Sequence, residues 1–195
     1  MNLDEVDSSH HQQKAFECVV RALNFNKVLP ENVFVGSWSC FLFFQSDYIF
    51  SPDFMSAATQ LLHIEQAKVA CLINLDRTKK IESSDIEAIF VNETTSGEMY
   101  DSRLRNGGPA SGWLYGVDRF ACASNIGEWC IYSEKGNDVA VIGLRDAGGG
   151  KKFERPLSLM NAKPIEDLVE GGKLPTFPFD KLTQTWRNGL LENFG

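Results

Sequence analysis

Histidine is scarce in this chain. His10, His11 and His63 are the three among 195 residues, and this limits the chemistry on offer. A cysteine nucleophile needs a base within hydrogen-bond reach and a third group to orient that base. No histidine follows Cys122 or Cys130, so a Cys-then-His order would have to start from Cys18 or Cys40, with Cys40 and His63 as the pair to consider. Free cysteine is among the most buried residue types, which favours a packing role instead. Metal-ligand spacing is also missing. The chain has no CxxC and no HExxH, and the adjacent His10 and His11 point apart on a helix. The nearest run of acids, Asp4, Glu5 and Asp7, sits at the N-terminus. No metal and no cofactor is expected.

Long apolar runs are absent too. None approaches the roughly 20 residues of a membrane helix, and the opening MNLDEVDSSHHQQK is polar and acidic, unlike a secretory signal. The five cysteines are odd in number and widely spaced, which fits reduced core thiols in a cytoplasmic protein better than a disulfide framework. Asn92-Glu93-Thr94 matches a glycosylation acceptor, which has no meaning in that compartment.

Basic charge is in deficit. Nineteen Lys and Arg face 26 Asp and Glu, a net charge of -7. Phosphate-tracking and polybasic membrane surfaces need clustered Lys and Arg, so neither a nucleic-acid nor a membrane partner is expected. The excess lies mainly in residues 1–91, with 12 acids and 7 bases. That half would steer a basic partner.

A phosphate loop is missing as well. The motif wants Gly, four residues, then Gly-Lys-Ser/Thr. Here Gly150-Lys151 is preceded five positions back by Arg145 and followed by Lys152. Carboxylate catalysis leaves no motif, and Asp118, Glu128, Glu134 and Asp138 flank a run of strands. A pair about 5–9 Å apart would suit glycoside chemistry, although acids at strand ends are ordinary turn formers.

What the chain does have is a three-strand meander. DRFACAS, EWCIYSE and DVAVIGLR, within residues 118–145, are joined by the turn signals Asn125-Ile126-Gly127 and Lys135-Gly136-Asn137-Asp138. Trp129 and Tyr132 fall on opposite faces of a regular strand, which splits the aromatics a single-strand nucleic-acid platform would need together. Upstream, residues 1–8 read as frayed. Ser9 with Gln12 fits a capping box, and Phe16, Val19, Val20 and Leu23 recur at helical spacing, so a helix is predicted over residues 10–27, closed by Pro30.

Residues 33–50 read as strand broken near Ser46-Asp47, buried on both faces at residues 40–44. Ser51-Pro52 opens a helix over 52–66 with an apolar stripe through Phe54, Ala58, Leu61 and Leu62. Residues 68–75 read as a buried strand, 76–84 as a turn, and 85–91 as a strand with Ile86, Ala88 and Phe90 on one face and Glu87, Ile89 and Val91 on the other. Residues 92–112 show no apolar period and read as a long polar loop. Residues 146–152 read as a flexible turn, 153–160 as an edge strand holding Pro156, and 164–169 as a short helix ended by Gly171-Gly172. LPTFPF reads as extended, and a last helix over 180–192 carries Leu182, Trp186 and Leu190 on one face.

The expectation is α+β: one domain over 1–195, mostly antiparallel, with the meander central and helices near 10–27, 52–66 and 180–192 packed on it. A two-lobe split at 92–112 is the alternative. The candidate site is the loop and its flank: Tyr100, Asp101, Arg103, Arg105, Trp113, Tyr115 and Asp118. Tyr, Trp and Arg dominate protein–protein hot spots. The leading reading is a non-enzymatic binding protein, in its most concrete form an immunity or antitoxin protein masking a basic toxin such as a nuclease. The rivals are a hydrolase or transferase with a carboxylate pair or Cys in a cleft beside 92–112, and a subunit that homodimerises through residues 33–50. No motif ties the chain to a family.

Overall fold

The computed structural model describes residues 3–76, 87–106, 108, 112–169 and 175–195, with the side chains of residues 3–6 set aside. The elements follow as α1 (Leu3–Ala22), β1 (Cys40–Gln45), a 3-10 turn (Ser46–Phe50), α2 (Phe54–Glu65), β2 (Ala70–Asn74), β3 (Ala88–Val91), α3 (Gly97–Leu104), α4 (Trp113–Gly116), β4 (Arg119–Ser124), β5 (Trp129–Glu134), β6 (Val139–Leu144), α5 (Gly149–Lys152), α6 (Glu154–Leu159), α7 (Ile165–Val169) and α8 (Gln184–Phe194). The strands form one sheet in the order β1-β6-β5-β4-β2-β3, and every neighbouring pair is antiparallel. The class is α+β. Strands from both sides of residues 92–112 share this sheet.

Both faces of the sheet are covered. One side packs Leu42, Phe44, Leu72, Ile89, Phe120, Trp129 and Ile142 against α2, α3 and α6. The other packs Phe43, Cys71, Ile73, Ala121, Tyr132 and Val141 against α1, α7 and α8. Alternate residues along a strand point to opposite faces, so a strand sandwiched between helices is apolar at every position. All six residues of β5 and all six of β6 are buried. In β1 Leu42, Phe43 and Phe44 are buried while Cys40 and Phe41 are half-buried, and the strand predicted over 33–50 is confined to Cys40–Gln45, with a 3-10 turn following it. The predicted two faces of β3 also appear, with Ile89 and Val91 in the first layer and Ala88 and Phe90 against the second.

The meander holds as read. Its first turn is closed by Ser124, whose Oγ accepts from Ile126 N and Gly127 N at 3.1 and 2.9 Å. Gly127 has φ +82°, a left-handed conformation that favours glycine, and a Cβ there would lie a tight 3.0 Å from Cys18 Sγ. The Asn125 side chain reaches across to accept from Lys68 N and Val69 N at 2.8 and 3.1 Å, anchoring the turn to the start of β2.

Four expectations are corrected. The first helix starts by Leu3, with no frayed stretch at 3–8 and no capping box at Ser9, and it ends at Ala22. Its C-terminal stretch turns away instead because Leu23 bridges Phe34 and Asn24 N donates to Val33 O at 2.8 Å. Residues 92–112 contain α3, because Tyr100 and Leu104, one turn apart, both enter the core. Ser96 caps this helix, accepting from Met99 N at 3.1 Å.

Residues 146–152 end in the short helix α5. Residues 153–160 carry α6, not an edge strand. Phe153, Leu157 and Met160 are buried at helical spacing, and Pro156 falls in the first turn, where a missing N–H costs nothing. The turn residues 77–84, Ile86 and Gly171-Gly172 lie outside the described residues. No described helix is long and apolar enough to cross a membrane.

Candidate functional site

The segment from α3 to the start of β4 carries the seven candidate residues, and the structure divides them. Tyr100 is fully buried, and its hydroxyl donates to Ile49 O at 2.7 Å. Trp113 is 6% exposed. Both are core residues that fasten the segment to the first helical layer. Asp118 accepts from Gly136 N at 2.6 Å through Oδ1, while its own N–H donates to Asp76 at 2.6 Å. It braces the β5–β6 turn and takes no part in a cluster with the others.

The remaining four face solvent. Arg105 Nε donates to Asp101 Oδ2 at 2.8 Å, one helical turn away. Arg105 Nη1 donates to the Tyr115 hydroxyl at 3.1 Å. Tyr115 on α4 is 53% exposed, and Met99 on α3 is 47% exposed. The carboxylate of Asp101 raises the pKa of the Arg105 guanidinium, with the Tyr115 hydroxyl a smaller influence in the same direction. Asp101, Arg105 and Tyr115 thus form a chain of mutually held side chains between two helices. Arg103 points the other way, and its Nη1 donates to Phe90 O on β3.

Beside Arg103 lies a groove of about 540 Å³ lined by Gln12, Glu87, Ala88, Phe90, Arg103 and Trp113. It adjoins a second groove of about 310 Å³ that shares Gln12, Phe90 and Arg103 and adds Asp7, His11 and Lys68. The sequence reading missed Gln12, Lys68, Glu87 and Phe90. They come from three elements far apart in the chain, and only the sheet's strand order brings them together.

The titratable groups that line these grooves among the described residues are few. Glu87 is the carboxylate of the larger groove among the described residues, and its Oε2 accepts from Asn74 at 3.1 Å. In the smaller groove His11 pairs Nε2 with Asp7 at 3.5 Å and sets Nδ1 3.3 Å from the Asn125 side chain.

The four acids of the meander are structural or surface groups. Glu134 accepts from Leu29 N at 2.7 Å, Tyr132 Oη at 2.9 Å and Asn137 Nδ2 at 2.9 Å. Glu128 pairs with Lys152. Asp138 takes the left-handed conformation of the β5–β6 turn, φ +56°.

All five cysteines are free. Burial pushes every one of their thiols upward, Cys71 to about 12. A nucleophilic cysteine needs the opposite, a thiolate stabilised near neutral pH. Among the described residues no group of three or more His, Cys, Asp or Glu is placed to hold a metal ion.

One buried acid stands apart from the surface. Glu65 ends α2 and is 7% exposed. Its Oε1 accepts from Glu128 N, tying the last turn of α2 to the β4–β5 turn. Burial raises its pKa, and the donors at Ser124 and Glu128 only partly offset this.

No family model matches this chain, and no curated protein or solved structure matches it.

Proposed function

We propose that this chain is a cytoplasmic, non-enzymatic protein-binding module of the immunity or antitoxin type, which holds a basic toxin such as a nuclease. The observation that carries the reading is the Asp101–Arg105–Tyr115 chain. Tyr and Arg are the side chains that most often anchor interfaces. Here they stand exposed and are already fixed by bonds to each other, which lowers the ordering cost of binding. Net charge of -7 adds long-range attraction for a basic partner and speeds capture.

The test is co-expression with the product of the neighbouring reading frame. The reading expects a complex that survives purification at moderate salt and whose association rate falls as salt rises. Tyr115→Ala is expected to raise Kd by tenfold or more. Failure to form any stable protein complex removes the main support.

A second reading, a hydrolase or transferase, draws on the groove beside residues 92–106. Carboxylate-pair chemistry needs two acids roughly 5–9 Å apart, whereas the larger groove presents Glu87 alone among the described residues. Homodimerisation through residues 33–50 draws on little surface. Leu42, Phe43 and Phe44 are buried within the fold, and Val35 is the large apolar side chain of that stretch that stands exposed.

A further inference from the structure

The two edges of the sheet are closed to different degrees. At the β1 edge, Phe43 exchanges both backbone bonds with Lys163, at 2.7 and 3.0 Å. At the β3 edge the register leaves peptide groups facing out. Asn74 N donates to Glu87 O at 3.1 Å, so within the antiparallel ladder the bonded pairs are Leu72 with Ile89 and Ala70 with Val91. Ala88 and Phe90 therefore turn their N–H and C=O groups away from β2. Arg103 takes the Phe90 carbonyl. Among the described residues no partner takes the outward Ala88 N–H, Ala88 C=O or Phe90 N–H, and an edge of this kind templates another strand.

We propose that the open edge of β3 docks an extended peptide segment of a partner protein, which adds to the sheet as a seventh strand and places an acidic side chain on Arg103 and Lys68. Shape selects the occupant. Gln12 of α1 stands on one side of the edge and Arg103, Asn106 and Trp113 on the other, all lining the same groove. The edge thus lies at the floor of a trough. A second copy carries the same trough around its own β3, so two such edges cannot meet, whereas a single extended segment fits between the walls.

Charge selects its chemistry. Where the two grooves join, Arg103 bonds one neutral carbonyl, and no ion pair engages either Arg103 or Lys68 among the described residues. The guanidinium keeps further N–H donors for a carboxylate. Asp7 lines the smaller groove 3.5 Å from His11 Nε2, and Glu87 lines the larger one and accepts from Asn74. Arg103 and Lys68, two cations with no ion pair among the described residues, mark a place for an anion. This site is separate from the Tyr115 surface and does not depend on it.

Hydrogen exchange of the free protein is the first check. The Ala88 and Phe90 amides must exchange faster than those of Ile89 and Val91, and protection of all four alike overturns the proposal. A phage-displayed library of random 12-residue peptides is then selected against the full chain. The expected result is a set of enriched peptides that share an Asp or Glu, protect the Ala88 and Phe90 amides when bound, and weaken at least tenfold on Ala88→Pro and on Arg103→Gln.

Proline at position 88 removes an outward N–H and spares the bonds to β2. If that variant does not fold, the exposed Arg103→Gln and Lys68→Gln carry the comparison. No enrichment, or enriched peptides that leave both amides unprotected, contradicts the proposal. Peptides lost on Tyr115→Ala and indifferent to Arg103→Gln likewise contradict it, while leaving the proposed function standing.

Discussion

The β4–β6 meander and the α3–α4 segment sit side by side in the chain and do opposite work. In the meander almost every side chain is buried, and its polar groups, Ser124, Asn125 and Glu134, spend their bonds within the fold, each on at least one backbone N–H. In the α3–α4 segment Tyr100, Leu104 and Trp113 are committed inward, as feet that fix it to the core, while Asp101, Arg105 and Tyr115 are fixed to one another and face water. The difference teaches where to look for function. Rigid scaffolds commonly carry function on a surface segment that they position, and in the proposed reading that segment is a pair of short helices.

The comparison can be broken most forcefully at its scaffold end. Trp129 is fully buried in the centre of the sheet, and Trp129→Ala is expected to cost about 3–5 kcal/mol in urea unfolding. A loss under about 1 kcal/mol would mean that the meander is not the core of the fold. Next comes a foot of the segment. Tyr100→Phe removes the hydroxyl and leaves the buried Ile49 carbonyl unpaired, at an expected cost of about 1–3 kcal/mol. No change in the unfolding midpoint would argue that the segment is not fastened there.

A third prediction concerns the link between α2 and the first meander turn. Burial holds the Glu65 pKa above its unfolded value. Its favourable contribution is therefore fully present below the ordinary carboxylate range and lost as pH rises through the raised folded pKa. The unfolding free energy of wild type is expected to fall across that window, and Glu65→Gln is expected to flatten this part of the profile. An identical pH profile in the variant would show that Glu65 does not titrate there. The smallest expected effect is on the surface itself. Arg105→Ala and Tyr115→Ala are expected to change stability by less than about 0.5 kcal/mol, and a larger loss in either would turn the proposed binding surface into part of the scaffold.

Legibility in the sequence followed the same division. The meander could be read because strong turn residues, Gly127 and the Gly136–Asp138 run, punctuate short apolar runs, and because burial on two faces makes those runs continuous. The stripes of α2 and α8 repeat at helical spacing. The helix α3 was hidden by its length, since eight residues flanked by glycines show only one apolar repeat, Tyr100 to Leu104. A sharper reading of Ser96 as a cap and of Asp101 with Arg105 as a one-turn pair could have found it. In α6 the proline reads only as confining a strand to an edge, because its place in a helix depends on where the helix starts, which tertiary packing of Phe153 decides. The grooves at β3 had no local signal, for they arise from strand order.

The most direct measurement is isothermal titration of the purified protein with its genomic neighbour's product, for wild type and Tyr115→Ala in parallel, with thermal unfolding of both. The account predicts saturable one-to-one binding by wild type and at least tenfold weaker binding by the variant at an unchanged unfolding midpoint. Equal binding by the two proteins, or none by wild type, would contradict it.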